Sequence, residues 1–209
     1  MDLAELTQAE RAAIVDLYED RWHELQEDVR TLGWKSREDQ ALRFRVLADV
    51  GDLHGATVCD VGCGFGDLLV HLDGVVSPVD YIGVDLVPSF LEQAARRHPE
   101  ASFRCLDATS DAFDVEADWF LLSGALSYRV ADNMGVTAAT LERLLRLARK
   151  GVAANFLSSY CTYQHTRNFH YEPEELFRVA RLLTPWVRLR HDYPLWEFTL
   201  YLYKEGRSA

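Results

Sequence analysis

The stretch VCDVGCGFGD, residues 58–67, decides how the chain folds. It places glycines at every second position, at Gly62, Gly64 and Gly66, directly behind a short apolar run. Glycine adopts positive φ without strain and lets the backbone approach a ligand closely. We therefore interpret this stretch as a strand that ends in a cofactor-binding loop.

Strand and helix patterns alternate on the carboxyl side of this loop. Alternation of this kind predicts a parallel sheet with helices on both faces. The final two patterns, VRLRHDY (residues 187–193) and EFTLYLY (197–203), are separated by a proline and a leucine and favour an antiparallel hairpin. The expected fold class is α/β, a doubly wound, Rossmann-like sheet of seven mostly parallel strands. The strand segments are ATVCDVG, DYIGVDL, ASFRCLD, DWFLLSG, GVAANFL and the two of the hairpin, and helices are expected at GDLLVHL, PSFLEQAARR, 133–150 and 173–183.

Two helices are expected before the first strand. Thr7 and Glu10 have the spacing of a capping box, and apolar residues then recur at helical intervals to about Arg30. Ser36 is placed to cap a second helix that closes before Gly51. Because the sequence shows no linker and no internal repeat, residues 1–209 are expected to form one domain, with a helical lid over 1–52 and a core over 56–209.

Composition restricts the possible partners. The net charge of −11 argues against nucleic acid, because phosphate binding needs a basic surface. The four cysteines form no CxxC pair and no zinc spacing, and no long apolar stretch is present. These features predict a cytoplasmic protein with reduced thiols, no bound metal, no membrane partner and a small-molecule ligand, and they leave the oligomeric state open.

The spacing of the loop glycines distinguishes among cofactors. A dinucleotide fingerprint is GxGxxG, whereas here the pattern is GxGxG and Asp67 stands where the third fingerprint glycine belongs. Acids at Asp60 and Asp67, on either side of the loop, suit a ligand that carries an ammonium or sulfonium better than a pyrophosphate.

The stretch resembles the first motif of the class I S-adenosylmethionine-dependent methyltransferases, an acid followed by GxGxG at the end of the first strand. The similarity extends over residues 56–127 and includes Asp85, where the family places the acid that binds the ribose hydroxyls, and Asp107, where it places the residue that meets the adenine. The resemblance implies S-adenosyl-L-methionine as cofactor. The residues expected to bind it here are Asp60, Gly62, Cys63, Gly64, Asp85, Leu86, Asp107, Ala108, Ser123 and Gly124. Asp85 and Asp107 taken singly are also compatible with a helix cap and a turn.

The resemblance also places the N-terminal helices over the cofactor as a lid. Tyr18, Trp22, Trp34 and Phe44 are then candidates to enclose the sulfonium, although the helical spacing of Trp22 and Phe44 is more typical of a helix core, which makes Trp34 the better candidate. Arg43 is expected to clamp the cofactor carboxylate. Four candidate catalytic residues are expected near the carboxyl edge of the sheet, where the cofactor binds: Asn155, His165, Tyr171 and His191.

The leading hypothesis is a methyltransferase that acts on a small molecule, in specialised metabolism. The Asn-Pro-Pro-Tyr type of signature is absent after the fourth strand, where SGAL stands, which argues against a nucleic-acid base as acceptor. One alternative is a cyclase or lyase of the same fold that forms a cyclic amino acid, such as azetidine-2-carboxylate, and releases methylthioadenosine. A cofactor-binding partner protein without catalysis is the third reading.

Overall fold

The structure, a computed structural model, describes residues 4–206. The ends of the expected domain, residues 1–3 and 207–209, lie outside the described part. Seven strands form one sheet in the order β3-β2-β1-β4-β5-β7-β6. Their bounds are β1 Thr57–Val61, β2 Asp80–Asp85, β3 Ser102–Cys105, β4 Ala117–Ser123, β5 Ala148–Leu157, β6 Val187–Arg190 and β7 Glu197–Tyr203.

Parallel pairing joins β3, β2, β1, β4 and β5, and β7 pairs antiparallel with both β5 and β6. Chain order reverses between β1 and β4, which is the point where open α/β sheets bind their ligands. The glycine loop follows β1 directly. The predicted fold class, with its parallel core and antiparallel C-terminal hairpin, is confirmed.

Helices cover both faces of the sheet. They are α1 Gln8–Leu25, α2 Arg37–Ala48, α3 Asp67–Val75, α4 Pro88–Arg97, α5 Asn133–Leu147 and α6 Pro173–Leu183, with a short 3-10 helix at Val29–Leu32. Because strand side chains alternate between faces, Phe120 and Leu122 of β4 pack in one core while Trp119 and Leu121 pack in the other. Both faces of β4 are therefore buried by other parts of the same chain.

Three predicted boundaries were wrong. The first helix ends at Leu25 and not near Arg30, because Gln26 takes a positive φ of 53° and the chain restarts as a 3-10 helix capped by Asp28. The fifth strand begins at Ala148, which pairs with Ala117, so α5 stops before the predicted Lys150. The sixth strand ends at Arg190, because the Tyr193 side chain is buried and its hydroxyl bonds with Thr199 and Asn155.

Within residues 4–206, no helix combines the length and the apolar character that crossing a bilayer requires. The same residues contain no group of three or more histidine, cysteine, aspartate or glutamate side chains placed to hold a metal ion.

Candidate functional site

A cavity lies at the carboxyl edge of the sheet, where β1 and β4 diverge. Its empty volume, counted out to its open mouth and including open solvent, is about 1210 Å³. All the expected cofactor residues except Arg43 line it: Trp34, Asp60, Gly62, Cys63, Gly64, Asp85, Leu86, Asp107, Ala108, Ser123 and Gly124.

The glycine loop forms the floor of the cavity with its backbone. Gly62 and Gly64 have φ of 75° and 53°, a region that other L-residues rarely adopt. A Cβ on Gly64 would lie 2.8 Å from Cδ2 of Leu32, in the 3-10 helix. The N-terminal segment therefore sits directly over the loop, and there is no space for a side chain between them.

Asp60 is a buried acid with an unused acceptor. Its Oδ2 accepts a hydrogen bond from the Tyr81 hydroxyl at 2.6 Å, while Oδ1 has no partner among the described residues. Burial, with smaller contributions from the charges of Asp85 and Asp67, raises the pKa of Asp60 to about 7. A cationic donor in the cavity would satisfy Oδ1 and favour the ionised carboxylate.

Asp85 is held at the end of β2 by backbone amides. Its Oδ2 accepts from Gly64 N at 2.9 Å and its Oδ1 from Val87 N at 3.0 Å, although burial still raises the pKa of the carboxyl. These bonds fix the carboxylate beside the glycine loop. In that position it faces the cavity with acceptor lone pairs for a pair of hydroxyls.

Asp67 and Asp107 already have cationic partners. The Arg97 guanidinium donates to Asp67 at 3.2 Å, and Gln40 donates to the same carboxylate at 3.0 Å. Arg11 of α1 donates to Asp107 Oδ2 at 2.6 Å, and Thr109 donates to Asp107 Oδ1 through its amide and hydroxyl. Asp60 and Asp85 are therefore the two of these four carboxyl groups that have no cationic partner.

Arg43 lies behind the cavity wall. Its guanidinium stacks on the Trp34 ring at 4.0 Å and pairs with Glu197, with Nε 2.7 Å from Oε2. The remaining nitrogen, Nη1, lies against Gly124, where a Cβ would come within 2.5 Å of it. A buried arginine thus backs the end of β4, with Ser123 beside it, whose Oγ has no partner among the described residues.

Comparison with known proteins agrees with this geometry. The methyltransferase domain family matches residues 58–151. A protein of Mycobacterium tuberculosis, "Putative methyltransferase Rv1506c", is 33% identical over 158 residues, which are 71% of this chain and 93% of the relative. The chain belongs to the S-adenosylmethionine-dependent methyltransferase family.

Solved structures share the fold of this methyltransferase. Magnesium protoporphyrin IX methyltransferase (ChlM) from Synechocystis PCC 6803 with bound SAM superimposes with a TM-score of 0.70 at 16% identity, over 97% of this chain and all of the other. A DhpI–SAH complex gives 0.70 at 17% identity with the same coverage. The [4+2]-cyclase SpnF gives 0.63 at 15% identity, over 91% of this chain and 77% of the other. At these identities the likeness shows the fold alone.

None of the four side chains expected to be catalytic in this methyltransferase belongs to the cavity lining. Tyr171 is fully buried, its hydroxyl bonds with Thr137 Oγ1 and the Leu126 carbonyl, and burial raises its pKa to about 12. The Asn155 amide is buried and donates to Tyr193 and Glu197. His165 is exposed and accepts from the Arg167 amide, and His191 packs on Tyr160 and Phe198. Their catalytic role stays a prediction.

Sequence reasoning missed several groups that line the cavity of this methyltransferase. Tyr128 follows β4, and Asn133, Thr137 and Thr140 lie on α5. Their spacing of i, i+4 and i+7 places the three α5 side chains on one polar stripe of that helix. The sequence could have indicated these cavity residues, because a helix packed on a sheet ordinarily presents an apolar stripe to it and this one is polar.

Proposed function

We propose that this methyltransferase transfers the methyl group of S-adenosylmethionine to a small molecule, in a specialised biosynthetic reaction. The observation that carries the proposal is the convergence of Asp60, Asp85 and Asp107 on one cavity with the glycine loop. When bound, the cofactor supplies an electrophilic methyl group on a sulfonium.

The residues of the cavity fit that cofactor. The unpartnered Oδ1 of Asp60 is an acceptor for the amino group, and Asp85 is an acceptor for the ribose hydroxyls. Ser123 Oγ is a donor for the carboxylate. Asp107 and Ala108 lie at the end of β3, where the adenine is expected.

A small acceptor is favoured because the N-terminal segment lies across the cavity. Leu6, Ile14, Tyr18, Leu32 and Trp34 all line it. A folded nucleic acid would have to displace these residues, and the net charge of −11 opposes its approach. We propose that residues 4–52 act as a lid, which excludes water and aligns the acceptor with the methyl group.

The test is a product analysis by mass spectrometry. The purified protein is incubated with S-adenosylmethionine, alone and with a panel of small acceptors. Formation of S-adenosylhomocysteine together with a methylated acceptor supports the proposal. Methylthioadenosine formed without an acceptor would identify the cyclase or lyase reaction instead, and the absence of both products would contradict an enzymatic role.

A matched pair of variants connects the product to the site. Asp85→Ala removes the carboxylate at the cavity end of β2 and should lower turnover about tenfold or more when S-adenosylmethionine is limiting. Asp80→Ala changes the other end of the same strand, where the side chain is exposed and contacts Thr57, and should leave turnover unchanged.

A further inference from the structure

Part of the cavity lining carries no charge and is not assigned to the cofactor. Helix α1 contributes Ile14 and Tyr18 to it, and the chain after β4 contributes Leu126, Tyr128 and Val136. We call these five side chains the apolar pocket. Within the described stretches 4–25 and 124–140, no acidic or basic side chain belongs to the cavity lining.

Hydrogen bonds bring the segments of the apolar pocket together. Glu10 of α1 accepts from the Ala131 amide at 2.8 Å, which joins that helix to the loop after β4. Asn133 joins the same loop to α5, because its Oδ1 accepts from the Val130 amide at 2.9 Å and its Nδ2 donates to the Tyr128 carbonyl at 2.8 Å. The two sides of the pocket are therefore held against each other by direct contacts.

The threonine hydroxyls of α5 donate within the chain. The Leu126 carbonyl can only accept, so the Tyr171 proton is directed at it over 2.8 Å. The contact of 2.7 Å between Thr137 Oγ1 and the Tyr171 hydroxyl then uses the Thr137 proton. Thr140 donates to the Val136 carbonyl at 2.7 Å. Neither threonine has a proton left to donate to a ligand.

The phenols of the apolar pocket are its hydroxyl donors. Tyr18 packs edge-on against Phe90, and the Tyr128 backbone forms a β-bridge with Asn168. Both side chains are half-buried and line the cavity, and neither hydroxyl bonds with a described residue. The pocket thus presents two unoccupied phenol groups on apolar walls.

Charged side chains beside the apolar pocket are occupied or lie outside the lining. Arg11 pairs with Asp107 at 2.6 Å. Arg129 donates to two backbone carbonyls at 2.9 Å and lies over the Phe169 ring. Arg21 lies over the Tyr18 ring at 5.3 Å from its centroid, but it does not line the cavity. An ion in the pocket would find no ionic partner there among the described residues.

We propose that the methyl acceptor is an uncharged, largely apolar molecule, and that the Tyr18 and Tyr128 hydroxyls recognise it by donating hydrogen bonds to its oxygen atoms. A charged group that entered the apolar pocket would lose its hydration without gaining an ionic partner, which is costly. An apolar ring gains from contact with the aliphatic and aromatic walls. This inference rests on the proposed function, since it names the class of molecule that the methyltransferase accepts.

The test compares probes of similar size on the complex with S-adenosylhomocysteine: benzyl alcohol, toluene, benzoate and benzylammonium. Because the cofactor site is filled first, the probes have only the rest of the cavity to bind. In titrations followed by nuclear magnetic resonance, benzyl alcohol should bind about tenfold or more tightly than either ion. Benzoate or benzylammonium binding as tightly as benzyl alcohol would overturn the inference, and so would the absence of benzyl alcohol binding.

Phenylalanine variants locate the hydrogen bonds. Tyr18→Phe/Tyr128→Phe should weaken the binding of benzyl alcohol about threefold or more, while the affinities for toluene and S-adenosylhomocysteine stay within about twofold of the parent. Tyr163→Phe removes a hydroxyl from an exposed side chain outside the cavity lining and should change none of these affinities. Unchanged binding of benzyl alcohol by the double variant, or equal losses for benzyl alcohol and toluene, would contradict recognition by the hydroxyls.

The cofactor titration separates this inference from the proposed function. Failure of S-adenosylhomocysteine to bind the parent would remove the proposed function, and this inference with it. Normal binding of S-adenosylhomocysteine together with a preference for an ion would remove this inference alone.

Discussion

Arg11 and Asp107, which are 96 positions apart in the chain, are joined by direct hydrogen bonds of 2.6 Å. Arg11 belongs to the first turns of α1, and Asp107 follows β3. The pair therefore attaches the N-terminal helix to the edge of the sheet at the place where the adenine is expected.

Arg11→Met should loosen α1 over the cavity. Because about a third of the Arg11 side chain is exposed, the pair contributes a modest amount, about 0.5–1 kcal/mol. We expect faster amide hydrogen exchange in residues 8–18 and an affinity for S-adenosylhomocysteine that falls about two- to fivefold. Arg96→Met removes an exposed pair with Glu92 on α4 and should change neither measurement. Unchanged exchange in α1 would show that the pair does not hold the helix.

Gly64→Val should abolish cofactor binding and leave the fold intact. The side chain would enter the space between the loop and Leu32, and the positive φ adds about 1–2 kcal/mol of backbone strain. Gly55→Val is the matched control, because Gly55 also has a positive φ of 65° but a Cβ there would have no neighbour within 4 Å. Calorimetry with S-adenosylhomocysteine should show binding by the Gly55 variant only. Binding by both would contradict the assignment of the loop as a cradle.

Asp85→Ala should weaken cofactor binding by about 1.5–3 kcal/mol, the range for hydrogen bonds to a charged group. This corresponds to roughly a 10- to 150-fold higher dissociation constant. The variant also releases the Gly64 and Val87 amides, so circular dichroism and a thermal melt are needed beside the titration. An unchanged affinity in a folded variant would disprove the ribose role.

The acids of the site were predictable from sequence because each lies at or near the carboxyl end of a strand with a clear pattern. Parallel strands place their carboxyl ends on one edge, so Asp60, Asp85 and Asp107 had to lie near one another once the strands were recognised. The catalytic candidates were harder because their positions depend on contacts between distant segments. His165 lies in a loop whose carbonyls accept hydrogen bonds from the side chain and the amide of Arg129, and no local pattern encodes that pairing.

The surroundings of Arg43 show a second limit of sequence reasoning. A clamp for a carboxylate was expected at this position, and the structure places the carboxylate of Glu197, 154 positions away, against it. Periodicity indicates that a helix has a buried face but not which strand lies against it. Asn155 joins the same polar cluster for the same reason: β7 is inserted beside β5.

Glu197→Ala should strongly destabilise the fold. Both partners are nearly buried, with 10% and 11% of their side chains exposed, so the variant leaves a buried guanidinium without its carboxylate. We expect a loss of about 3–5 kcal/mol in urea unfolding. Glu92→Ala, which removes the exposed partner of Arg96, should stay within about 0.5 kcal/mol of the parent. The double variant Arg43→Met/Glu197→Leu should recover part of the lost stability. A loss equal to the sum of the losses of Arg43→Met and Glu197→Leu, each measured alone, would show that the two residues act independently.

Asp60 should make both stability and cofactor binding depend on pH. Its folded pKa of about 7 lies above the ordinary value, so the protonated form favours the folded state. That contribution is complete below about pH 4 and is lost as the pH rises through about 7. Asp60→Asn keeps a neutral group of the same shape and should be more stable than the parent at pH 8, with the advantage shrinking as the pH falls and lost by about pH 4.

Cofactor binding favours the ionised form of the Asp60 carboxyl, whereas folding favours the protonated form. An ammonium group beside Oδ1 favours the ionised form, so binding at pH 6 should release a proton and the affinity should fall as the pH falls below about 7. Burial raises the pKa of Asp85 as well, so Asp60→Asn is the comparison that isolates one carboxyl. Titrations of S-adenosylmethionine in two buffers of different ionisation enthalpy measure the proton release directly. We expect release by the parent and a smaller release by Asp60→Asn, whereas equal release by both would place the cofactor amino group away from Asp60.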